Sequence, residues 1–164
     1  MQKYLIDGYN LGHKIPEVVQ LLKRKDFYAA IERIVHIVEA RLNTRRNRVI
    51  IVFDGKKGLF DFPRNSFAVE IIFSRKPQEA DDIIRDILRH EPSPSDWTVI
   101  SSDNEILRTA RDLGAKFIRS ESFVGSQTSS SEKYGLKETR QKYDPENVDV
   151  NYWLRLFGSD DDTP

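Results

Sequence analysis

The sequence predicts an α/β protein, a three-layer α/β/α sandwich built on a central, mainly parallel sheet of about five strands. Short runs rich in β-branched and aromatic residues alternate with stretches of helical period. Two of those runs, RVIIVF at 48–53 and WTVI at 97–100, are apolar without interruption, as strands buried on both faces are. Acidic residues follow the runs directly, at the edge where a parallel sheet opens its ligand crevice.

The elements follow in order. KYLI at 3–6 is the first strand, and IDGYNL carries the chain out of it; Gly8 gives the backbone room to turn and Tyr9 packs beneath. From Asp26 to Leu42 the apolar residues Phe27, Ala30, Ile31, Ile34, Val35, Val38 and Leu42 recur at helical spacing, with Asp26 as N-cap. RVIIVF is the second strand and FAVEIIF at 67–73 the third. Pro77 stands at the threshold of a helix from Gln78 to His90, whose apolar face is Ala80, Ile83, Ile84, Ile87 and Leu88. WTVI is the fourth strand, a helix from Asn104 to Leu113 stops at Gly114, and KFI at 116–118 is a weaker fifth strand. SESFVGSQTSSSEKYG, from Ser120 onward, has the serine and glycine content of a mobile loop. Helices are expected across 132–142 and 146–157, then an acidic, disordered tail at Asp160, Asp161 and Asp162. The apolar Trp153, Leu154, Leu156 and Phe157 either dock on the body or form a partner motif. The expected organisation is one domain over 1–125 and an extension over 126–164.

Composition narrows the function classes. Lys plus Arg equal Asp plus Glu at 26 each, so any attraction for a polyanion must be local. No cysteine is present, which excludes disulfides, thiolate nucleophiles and cysteine-held zinc or iron–sulfur groups. The N-terminus lacks the apolar core of a signal peptide, and no run reaches the roughly 20 apolar residues of a membrane helix. A soluble, cytoplasmic protein without membrane partners is the expectation.

The carboxylates carry the chemistry. Asp7 follows the first strand, Asp54 the second and Asp103 the fourth. Strand ends of a parallel sheet share one edge, so these acids should meet in space. EADD places Glu79, Asp81 and Asp82 in a helical first turn at the same edge. Each is also an ordinary turn former, cap or dipole partner. Together they favour a hard cation, Mg²⁺ or Mn²⁺, which relieves the repulsion among them and suits phosphoryl chemistry. Phosphotransfer by an aspartate nucleophile fits less well: a receiver needs an acidic pair after the first strand, and a dehalogenase-type site needs a second Asp where Tyr9 stands.

In that order, LIDGYNL, VIIVFDG, EADDIIRDIL and VISSDNEI resemble the NYN domain family, in its YacP-like branch, within the PIN-like nuclease superfamily. The resemblance covers roughly residues 3 to 125. It implies a PIN-like fold and a Mg²⁺- or Mn²⁺-dependent endoribonuclease acting on RNA, in mRNA or ribosome-associated decay or processing, with single-stranded mRNA as substrate and the ribosome as a conceivable partner. The family's acidic positions carry over to Asp7, Asp81 and Asp103 as metal ligands and catalytic groups, with Asp54 as a fourth. Asn10 would orient a ligand, a water or a phosphate. The second acid of the pair, Asp82, carries less weight because the matching pattern needs only the first. An inactive RNA- or ribosome-binding module of the same fold, and a structure-specific DNA nuclease, remain open alternatives.

An acidic centre that attracts phosphate needs a basic rim. Lys56 and Lys57 follow Asp54, and Arg75 and Lys76 precede EADD, all on loops at the expected active edge, where simple solvation is the competing explanation. Arg45, Arg46 and Arg48 precede the second strand and belong at the opposite edge. Phe60 and Phe62 could stack on unpaired bases, although core packing is the better explanation of both.

Overall fold

The computed structural model describes residues 1–56, 59 and 61–125. Lys57, Phe60 and everything expected beyond residue 125 lie outside the described residues. The elements are β1 (Lys3–Asp7), α1 (Gly8–Gly12), α2 (Pro16–Lys23), α3 (Phe27–Arg41), β2 (Arg48–Phe53), β3 (Glu70–Phe73), α4 (Ala80–His90), β4 (Trp97–Ile100), α5 (Asn104–Leu113), β5 (Lys116–Ile118) and α6 (Ser120–Gly125). All five strands are parallel, in the order β3-β2-β1-β4-β5. The expected three-layer α/β/α architecture is thereby observed.

Strand periodicity sorts the core. Tyr4, Ile6, Val49, Ile51, Phe53, Ile71, Ile100 and Ile118 point to one face, where Leu11 of α1, Val18 of α2, the apolar side of α3 and Phe123 of α6 cover them. The alternate residues Leu5, Ile50, Val52, Trp97 and Val99 point to the other, under Ala80, Ile84 and Leu88 of α4 and Ile106 and Ala110 of α5. Both faces are buried, which explains why β2 and β4 read as unbroken apolar runs.

Two expectations need correction. The third strand begins at Glu70 and not at Phe67. The Ala68 amide donates to Glu39 Oε1 of α3 at 2.8 Å, and Phe67 stacks on Phe62, so this stretch packs across α3 before it joins the ladder. The loop expected from Ser120 starts instead with α6. Phe123, 2% exposed, anchors it, and Arg41 of α3 donates to the Phe123 carbonyl at 3.1 Å while covering its ring.

Candidate active site

The strand order reverses between β1 and β4: the chain leaves β1 toward β2 and leaves β4 toward β5. A crevice at the carboxyl ends of these two strands is the usual ligand position of such a sheet. β1 pairs with β4 only as far as Ile6–Ile100, whereas its pairing with β2 continues to Asp7–Val52. Asp7 therefore ends β1 at the opening beside β4.

Side-chain hydrogen bonds stitch this opening together. The fully buried Ser101, just after β4, donates from Oγ to Asp7 Oδ2 at 3.4 Å and accepts the Asp103 amide at 3.0 Å. Asn10 Oδ1 accepts the Ser102 amide at 2.8 Å and the Ser120 hydroxyl at 2.7 Å, tying α1 to the end of β4 and the start of α6. Its Nδ2 donates to none of the described residues. Asp103 is the N-cap of α5, with Oδ1 accepting from the Glu105 and Ile106 amides at 2.8 and 3.2 Å. Asp54 Oδ1 accepts the Ala80 amide at 2.8 Å, and thus sits on the positive N-terminal end of α4. The Ser74 hydroxyl lies 3.5 Å from the same oxygen.

Two glycines permit these approaches. A Cβ on Gly8 would lie 2.3 Å from the Phe53 ring, and one on Gly55 2.2 Å from the Ser74 carbonyl oxygen. At Gly8 the requirement is space for Phe53, a tertiary reason that the expected turn did not contain. Tyr9 lies edge-on to the same ring at 5.1 Å, and its buried hydroxyl has no hydrogen-bond partner among the described residues.

The electrostatics focus on Asp7. Burial pushes its carboxyl up to about 7, and the nearby charges of Asp54 and Asp103 add to the rise, against the Asn10 backbone amide and the Ser101 hydroxyl, which favour the ionised form. Asp54 and Asp103 thus both act on Asp7. Asp81 is committed elsewhere, with Oδ2 3.2 Å from Arg85 Nη2. Asp82 closes the first turn of α4: its Oδ2 accepts the Glu79 amide at 3.0 Å and its Oδ1 faces Arg85 at 3.1 Å, which together hold its carboxyl below the usual range. Among the described residues, no three acids or histidines stand close enough together to hold a metal ion as they are. The donor set nonetheless suits a hard cation: every candidate ligand is a carboxylate oxygen, and a cation would relieve the penalty on the ionised Asp7.

Of the expected basic rim, Lys56 is exposed beside Asp54, with Nζ 5.5 Å above the Tyr9 ring and 5.2 Å above the Phe27 ring. Arg75 and Lys76 are exposed on the loop from β3 to α4. Phe62 is 5% exposed and belongs to the core. Arg48 begins β2, at the opposite edge, and pairs with Glu70 at 3.2 Å. The roles of Ser74, Ser101, Ser102 and Arg85 were not expected. The serines carry no signal beyond being polar loop residues, but Arg85, four residues after Asp81 on a helix, stood where an ion pair is common.

An all-parallel sheet with carboxylates at the strand ends flanking its switch point defines the class, a three-layer α/β/α domain with a crevice at the carboxyl edge. The chain belongs to the YacP-like NYN domain family, whose model matches residues 4–153. Among solved structures it is similar to Rae1 (YacP) from Bacillus subtilis, crystallised as a tryptophan-to-leucine variant, with a TM-score of 0.63 and 21% identity over 98% of this chain and 93% of that one. That likeness concerns the fold. No curated protein matches the sequence.

Proposed function

We propose that the protein is a metal-dependent endoribonuclease that hydrolyses phosphodiester bonds of single-stranded RNA, with mRNA, free or at the ribosome, as the substrate class. The reading is supported above all by the position of Asp7, at the switch point of a chain of this family, within electrostatic reach of Asp54 and Asp103. Asp7, Asp54 and Asp103, with Asp81 from the first turn of α4, would hold Mg²⁺ or Mn²⁺ through oxygen. Such a cation, when bound, supplies a water of lowered pKa and neutralises charge on the leaving oxygen. The chain's own contribution is positioning. Ser101 keeps the Asp7 carboxylate and the start of α5 in register, Asn10 ties α1 to the end of β4, and Lys56, Arg75 and Lys76 would present cations to the phosphates.

The test is cleavage of a labelled single-stranded RNA with Mn²⁺ or Mg²⁺, beside DNA of equal sequence. Cleavage that requires the metal, favours RNA and disappears in Asp7→Asn and Asp103→Asn is expected. Absence of cleavage on any RNA, with binding retained, would replace this reading with that of a binding module.

A further inference from the structure

The spread of the acids has a specific counterpart in Arg85. Its guanidinium, with the side chain 19% exposed, reaches Asp81 Oδ2 at 3.2 Å and Asp82 Oδ1 at 3.1 Å on α4, and Glu105 Oε1 at 3.2 Å on α5. Arg85 thus places a permanent positive charge beside Asp81 and between the first turns of the two helices that carry Asp81 and Asp103. Asp82 is held in place anyway by the Glu79 amide. Glu105 is 70% exposed and weakly constrained. Asp81 is the one partner of Arg85 that the proposed function asks to serve a different cation.

We propose that Arg85 is a built-in competitor for the metal, a latch that holds Asp81 in an ion pair until a divalent cation draws it off. The inference rests on the proposed metal site and assigns Arg85 a positioning role. It fits the absence of a ready-made group of three ligands among the described residues, because Asp81 is already engaged by the arginine. The arrangement makes metal affinity a balance between two cations for one carboxylate. A partly exposed ion pair of this kind is worth up to about 1 kcal/mol, so the latch should weaken metal binding by up to about fivefold.

Mn²⁺ affinity, measured by the loss of the free-ion paramagnetic resonance signal without RNA, gives a readout independent of cleavage. Arg85→Met, which keeps the packed stem and removes the charge, should bind Mn²⁺ up to about fivefold more tightly than the native chain. Arg85→Lys, with one point charge in place of the fork, should fall between, and it serves if the methionine variant does not fold. In an Asp81→Asn background the same arginine substitutions should leave affinity unchanged, because the latch acts through Asp81 alone. Equal or weaker binding in Arg85→Met, or a gain that persists in Asp81→Asn, overturns the inference and leaves the endoribonuclease reading standing. Failure of every form to bind Mn²⁺ overturns both.

Discussion

Asp7 couples the chemistry of the site to the stability of the chain. Its carboxyl titrates near 3.8 unfolded and at about 7 folded, so between those values the folded state holds a proton that the unfolded state has lost. Stability contributed by the protonated form is complete below about 3.8 and is lost as pH rises to about 7, at roughly 1.4 kcal/mol per unit. Urea unfolding in EDTA should therefore show Asp7→Asn gaining on the native chain from pH 5 to pH 8, by about 2–3 kcal/mol, while cleavage is abolished. Saturating Mn²⁺ should shrink the difference by stabilising the native carboxylate. A constant difference across that range would mean that Asp7 is ionised throughout. Gly8 gives a second test. Gly8→Ala drives a methyl into the Phe53 ring and should cost about 1–3 kcal/mol in the same assay, partly recovered in the double variant with Phe53→Leu.

Among the elements, α5 shows how a residue can hold a structural and a chemical post at once. Asp103 caps α5 with Oδ1, and its other oxygen is uncommitted among the described residues. Asp103→Asn keeps a capping oxygen and removes the charge, so the melting temperature should stay within a degree or two while cleavage is lost. Asp103→Ala removes both functions and should also cost about 1 kcal/mol of stability. Legibility differed by element for physical reasons. β2, β4, β5 and α5 run over the residues expected, because double-sided burial, flanking turns and the Gly114 stop at φ 84° are local signals. α1 and α2 were not expected. α1 is five residues long, with a glycine at each end, and is held by Leu11 at 0% exposure, so packing overrides a poor propensity. α2 did carry a signal, Pro16 at its first position with Glu17 and Lys23 at its ends. In α6, composition pointed to a loop and one buried phenylalanine decided otherwise.

At the scale of the whole molecule, the order β3-β2-β1-β4-β5 brings the ends of β2, β1 and β4, and with them Asp54, Asp7 and Asp103, to one edge of the sheet. That shared edge was readable from the strand ends alone. The partners that hold the acids were not, because the hydroxyls of Ser101 and Ser74 and the fork of Arg85 acquire meaning only once α4, α5 and the strand ends are packed together. Charge works at the same scale. With 26 basic and 26 acidic residues, the chain as a whole neither attracts nor repels RNA, so attraction must come from the rim of the crevice. If Lys56, Arg75 and Lys76 each neutralise one phosphate, the logarithm of RNA affinity should fall against the logarithm of salt concentration with a slope of about −2. Replacing all three by glutamine should bring the slope near zero. Arg45→Gln with Arg46→Gln, at the far edge of the sheet, should leave it unchanged. Filter binding of a short unstructured RNA by the Asp7→Asn protein, which cannot turn over, measures each slope. A steep slope that survives the triple change, or one that the Arg45 and Arg46 substitutions abolish, would place the RNA path on the opposite edge and separate it from the acids.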